Sequence, residues 1–198
     1  MVAMPAIAAI HRFWFGPLDA AGFAAPEQNR LWFGASAQTD AVIATRFGTL
    51  VSRALAGELE HWAGGDEGLI ALVLLLDQFT RNIHRGTPGA FAGDGRALAL
   101  AQQAIAGGRH RALPAIHRVF LYLPLEHCED LAVQEECVRL FAELAGEAGA
   151  GRIGDFARYA AAHRDVIARF GRFPHRNAIL GRTSSPGELA YLEQHGGF

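Results

Sequence analysis

Lysine is absent from this 198-residue chain, and all 18 of its basic residues are arginine. No side-chain amine exists for Schiff-base chemistry, and a Walker-type phosphate loop, which needs its lysine, is excluded. Cysteine is almost as scarce, with only Cys128 and Cys137. The two fall in a stretch that reads as one helix, where nine residues of separation amount to about 13 Å along the axis, too far for a bridge. A chain of this length holds a core without staples, so a reducing cytoplasm is the expected setting. Long apolar runs are missing as well. The longest, Leu69 to Leu76, has eight residues, where a membrane span needs about 20. No basic segment precedes an apolar stretch at the N-terminus, so a membrane role is not expected. With 18 basic against 20 acidic residues the formal charge is −2, which argues against a dedicated nucleic-acid binder.

What is present is helical punctuation. No run alternates with period two for long enough to make a strand, and apolar residues recur at spacings of three and four. The pattern predicts helices over Pro5 to Phe15, residues 39 to 62, Glu67 to about His84 with Asp66 as N-cap, and Asp94 to Ala106 before Gly107-Gly108. Pro114 opens a further helix, and Pro124 must break or kink it. Helix then resumes from Leu125 to about Leu144. Residues 155 to 170 show the clearest stripe, with Phe156, Tyr159, His163, Val166, Ile167 and Phe170 on one face. Ser185-Pro186-Gly187-Glu188 is a capping box that starts the last helix. The expectation is an all-α chain of seven to eight helices in a single domain spanning residues 1–198, with no internal repeat visible. Trp14, Trp32 and Phe33 serve either a core or an interface.

Gly149-Ala150-Gly151-Arg152-Ile153-Gly154 matches the glycine pattern of a dinucleotide fingerprint. That motif works only when a strand precedes it and a helix starts inside it. Here a helix ends before it in a small-residue loop, so the match carries no nucleotide site.

Three constellations break the apolar stripes with polar groups. Asp77, Arg81 and His84 lie at i, i+4 and i+7 on one face, beside Asn82. They make either an intrahelical ion pair or an arginine oriented toward a pocket. In Leu123 to Asp130, helix resuming after Pro124 would place His127, Asp130 and Gln134 on a shared face. Glu126, Glu129 and Asp130 suit a helix N-terminus, whereas His127 does not explain itself that way. Beside a carboxylate it is a candidate proton-transfer group. Cys128 points away from Asp130 on this reading and belongs to the core. The third constellation starts at His163, in mid-stripe, and continues into Phe170 to Asn177, where Arg172, His175, Arg176 and Asn177 interleave with aromatics. Residues 163 to 182 hold five arginines against Asp165, and residues 126 to 147 hold seven acids against Arg139. The near-zero total hides two opposed patches, which either pair with each other or line a site for an anion.

These strings resemble a known family. Phe13-Trp14-Phe15-Gly16, the run Leu75 to Asn82, Arg85 to Phe91, Leu123 to Asp130, and Phe170 to Arg182 are similar, in order and over almost the whole chain, to the bacterial family catalogued as domain of unknown function 924. That family usually has serine where Cys128 stands. The resemblance implies an all-helical fold similar to tetratricopeptide-type arrays, and it implies no reaction. The positions it carries over are Asp77, Arg81, Asn82, His127, Glu129, Asp130, Arg172, His175, Arg176 and Asn177.

Two functional expectations follow. In the first, a small anionic ligand sits between helices, held by Asp77, Arg81, Asn82, Arg172, His175, Arg176 and Asn177, with His127, His163 and Asp130 as acid-base groups. In the second, the charged motifs are internal struts of a helical module that binds a peptide, a protein partner or a second copy. A metal centre is a variant of the first, with His127, Asp130 and His163 or His175 as ligands, although no standard zinc spacing occurs. No cofactor is indicated.

Overall fold

A computed structural model describes residues 3–197, and among them every regular element is helical. The α-helices are α1 (Ala3–Trp14), α2 (Gln28–Phe33), α3 (Ala37–Leu55), α4 (Asp66–Ile83), α5 (Asp94–Ala106), α6 (Ala115–Glu126), α7 (Leu131–Ala148), α8 (Ala150–Phe170) and α9 (Pro186–His195), with short 3₁₀ turns between some of them. The all-α expectation holds. Nine α-helices are found among the described residues where seven to eight were expected, and the addition is α2, whose six residues are too few to show a helical period. No helix among the described residues is long and apolar enough to cross a membrane.

Contacts group the chain into two compact units. The first runs to Arg85 and resumes over Gly89–Pro124; the second comprises Gly86–Pro88 and the chain from Leu125 onward. In the first unit α4 is the central element. Leu69 to Leu76 are each at most 2% exposed, as expected of a helix that is apolar all round. Its N-cap is Gly65, in extended conformation, rather than the expected Asp66. Asp66 instead opens the first turn beside Glu67, where the helix dipole favours both carboxylates. Trp14, Phe15, Phe47 and Phe120 form an aromatic cluster with Phe79 of α4, mostly edge-on or tilted, with Phe79 between Trp14 (5.2 Å) and Phe47 (5.1 Å). Trp14 is therefore core, Trp32 donates its indole N–H to the Trp14 carbonyl at 2.8 Å, and Phe33 is exposed.

In the second unit α7 and α8 form a hairpin about one residue, Gly149, with φ +95°. Helix α8 therefore begins at Ala150, inside the glycine pattern that was expected to be loop. The element before the pattern is a helix and not a strand, so the dinucleotide geometry is still missing. Cys137, Leu140, Phe141, Leu144 and Ile153 are buried along the hairpin, and Val166, Ile167 and Phe173 form a core cluster with Phe170 and Tyr191 against it. Tyr159, expected on the buried stripe of α8, is 55% exposed.

Replacing Phe79 by alanine removes a fully buried ring from the α4 core. The expected loss is about 3–5 kcal/mol, read from urea unfolding midpoints. A loss below about 1 kcal/mol would contradict this packing.

Candidate functional site

The site is built where α6 gives out. Pro124 lies within α6 and offers no N–H to the preceding turn, so the helix survives only to Glu126. Residues 127–130 unwind, and α7 starts at Leu131 with the Asp130 carboxylate accepting from the Val133 N–H at 3.1 Å. His127, Asp130 and Gln134 accordingly do not share one helix face, as continuous helix from Leu125 would have placed them. Cys128 is in the unwound turn and half-buried rather than core, and Cys137 is buried on α7; neither forms a disulfide. Burial pushes the Cys137 thiol well above the ordinary range. The turn is pinned from inside by Gln134, whose side-chain amide donates to the carbonyls of Glu126 (2.6 Å) and Cys128 (2.7 Å), with Leu125 at 3.4 Å.

Glu129, on that turn, takes hold of the segment after α8. Its carboxylate accepts the Phe173 N–H at 2.8 Å and both terminal nitrogens of Arg182 at 2.6 and 2.9 Å. Burial works against its charge, but the Arg182 and Phe173 hydrogen bonds outweigh it and hold the carboxyl below its usual range. This is the point where the acidic and basic patches meet. Elsewhere the acidic patch is served by its own Arg139, which bridges Glu136 and Glu143, and Arg164 pairs with Asp165.

Phe173, fully buried, is the floor of the site. His163 meets its edge at 5.5 Å, His175 lies 5.6 Å away, and the Arg176 guanidinium stacks over it at 4.5 Å, a cation–π contact. The His127 and His163 rings are 6.4 Å apart. His163 Nδ1 is 2.9 Å from the Tyr159 carbonyl and 3.3 Å from Glu126 Oε1. A carbonyl oxygen only accepts, so Nδ1 carries the proton and the lone pair belongs to Nε2. Glu126 is thus a positioning residue for a histidine whose Nε2 can accept a proton. Burial lowers His163 to about 3 and His175 to about 4, with the charge of Arg176 contributing to both. Both imidazoles are neutral at pH 7.

The expected residues divide accordingly. His127, His163, His175 and Arg176 come together. Asp130 serves as a helix cap. Arg172 donates to both oxygens of Glu188 (2.6 and 2.8 Å), and Asn177 donates to Ser184 Oγ at 3.0 Å, in a separate network at the start of α9. Asp77, Arg81 and Asn82 lie in the first unit. There Asp77 is buried and 3.0 Å from Arg81, which also grips Asp94 through both terminal nitrogens, while Asn82 and Arg85 donate to Asp40. Glu126 and Glu129 were read from sequence as helix-start residues, and their roles were missed. Pro124 was the available signal, since the helix it ends leaves Glu126 as its last residue and Glu129 on the turn that follows. Among the described residues no three His, Cys, Asp or Glu side chains form a metal-ligating group.

Because His163 is neutral when folded, the unfolded chain binds the extra proton below its ordinary value of 6.5. Stability is full above that pH and falls as the pH drops toward about 3. By pH 5 the contribution of His163 amounts to a loss of about 2 kcal/mol relative to pH 7. Unfolding midpoints measured from pH 7 to 5 will show this loss, and His163→Gln will flatten the slope by about one proton; an unchanged slope would sink the assignment. Asp130→Ala should cost about 1 kcal/mol as a lost cap, by the same measurement.

Among proteins of curated function none matches this chain. The solved structure of a protein of unknown function from Agrobacterium tumefaciens, ATU0120, is similar to it. The two are 40% identical, with a TM-score of 0.79 over 95% of this chain and 97% of that one. The family described as bacterial protein of unknown function (DUF924) matches residues 10–196, which include every residue of the site just described, and the chain belongs to that family.

Proposed function

We propose that the second unit binds a small anionic molecule at the cluster of His127, His163, His175 and Arg176, and that His163 accepts a proton through Nε2. The observation that carries this reading is the Arg176 guanidinium, 7% exposed and stacked on Phe173 among three imidazoles. Arg182 neutralises Glu129, and Glu126 faces the Nδ1 side of His163. The charge of Arg176 helps keep His163 and His175 neutral, and at His175 Arg182 adds to it. An anion placed among them favours Arg176 and lifts the penalty on protonating either imidazole. Binding and proton uptake are consequently linked. The paired hairpins α3–α4 and α7–α8 support a tetratricopeptide-like description of the fold, and nothing in the anion reading conflicts with it.

Inorganic phosphate and citrate are the probes. Titration calorimetry at pH 7 and 5.5, in two buffers of different ionisation enthalpy, should give saturable binding that tightens at the lower pH with net proton uptake. Arg176→Gln should weaken it at least about tenfold, or about 1.4 kcal/mol. Absence of saturation by either anion at millimolar concentration, or equal affinity in Arg176→Gln, would discard this reading in favour of a helical interaction module.

A further inference from the structure

We infer that His11 and His117, in the first unit, bind a divalent transition ion of the zinc class. Their spacing in the sequence does not reveal the pair, since His11 is on α1 and His117 on α6, but the fold sets the two rings 4.9 Å apart at 70°. Two nitrogen–metal bonds of about 2.0–2.1 Å that meet at a tetrahedral angle place imidazole centroids about 5 Å apart. The observed separation fits one shared ion. His11 also has the outer hydrogen bond of a ligand. Its Nε2 stands 2.8 Å from the Glu67 carbonyl oxygen, which only accepts, so Nε2 carries the proton and Nδ1 keeps the lone pair. A metal-bound imidazole is held in this way through its second nitrogen. Burial lowers both imidazoles, His117 to about 4, against the opposing pull of the Glu67 carbonyl and carboxylate on His11. Both rings are therefore neutral at pH 7, the form that donates to a metal.

His117 is the residue that packing leaves unexplained. It is 8% exposed, and among the described residues its side chain makes no hydrogen bond and no ion pair. Its ring contacts are His11 and, at 4.6 Å, Phe15. A leucine or phenylalanine would fill this place without stranding two ring nitrogens, so stacking gives no reason for a histidine. Donation of a lone pair to an ion gives one. Phe15, also 5.6 Å from the His11 ring, walls the pair with apolar surface and limits the water that competes for the ion. His11 is half-buried, which leaves a way in from solvent. Two imidazoles with no third ligating side chain in reach leave the other positions to water, as in sites that keep an open position. Imidazole nitrogen suits zinc, nickel or copper, whereas magnesium takes oxygen. His11, Phe15, Glu67 and His117 all belong to the first unit, so this site does not rest on the anion reading of the second.

The full chain, purified without a histidine tag, is titrated with Zn(II) alone by calorimetry at pH 7. Binding should saturate in the micromolar range, and His11→Gln and His117→Gln should each weaken it at least about tenfold. Excess Mg(II) should leave the isotherm unchanged. Labelling of the wild-type chain by diethyl pyrocarbonate, mapped by mass spectrometry, asks the same question without a variant that could fail to fold. Zinc at about ten times its Kd leaves roughly one chain in eleven unoccupied, so carbethoxylation of His11 and His117 should slow about tenfold. The exposed His61 should keep its rate. Lack of saturation at sub-millimolar zinc, wild-type affinity in both variants, displacement by Mg(II), or equal slowing of His61 would overturn the assignment. Loss of zinc binding in His163→Gln with His11→Gln unaffected would put the ion at the histidine cluster of the second unit, and that too would overturn it.

Discussion

The second unit depends on one carboxylate. Glu129 ties a backbone N–H and a guanidinium from the segment after α8 to the turn before α7, bridging 44 and 53 residues of sequence. The site residues on that segment are placed by this bond set. Without it, the Phe173 N–H loses its carboxylate acceptor, and the ring over which Arg176 stacks loses its tie to the turn before α7. The carboxylate stays charged inside a partly buried setting because three hydrogen-bond donors converge on it, which is the condition under which such burial is tolerated.

Glu129 is available only because α6 ends where it does. Pro124 removes one donor from the ladder, the chain unwinds for four residues, and Gln134 satisfies the carbonyls that the unwinding strands. Buried carbonyls left without donors would cost more than the helix would have. Proline, glutamine and glutamate act in sequence: one opens a turn, one stabilises it, and one uses it to capture a distant strand of chain. The histidines then occupy a floor whose polarity is already balanced, which is why their burial translates into neutrality rather than into salt bridges.

Elements governed by local chemistry were legible in the sequence. The span Asp94 to Ala106 and the Ser185 capping box appear where their residues signal them, because caps and glycine stops act within a single turn. The turn after Pro124 was half legible. Proline announced a break, but the acidic residues after it also satisfied the rule for a helix start, and the local rule gave the wrong register for His127 and Asp130. The partners of Arg172 and Arg182 were not legible at all. Charge counting showed opposed patches, yet Arg172 took Glu188, an acid outside both stretches, while Arg182 took Glu129. Which acid an arginine reaches is decided by the tertiary path of the chain, and no spacing along the sequence encodes it.

The one-residue joint at Gly149 also has a bearing on how the second unit comes into being. Two long helices joined by a single residue pair through contacts that are close in sequence, so their hairpin needs little loop closure and can form early. The grip of Glu129 on Phe173 and Arg182 spans the entire hairpin and can close only once α7 and α8 are in place. The floor of the histidine cluster therefore assembles only after the hairpin. A chain synthesised as far as Phe170 would already hold the hairpin, yet it would have no site.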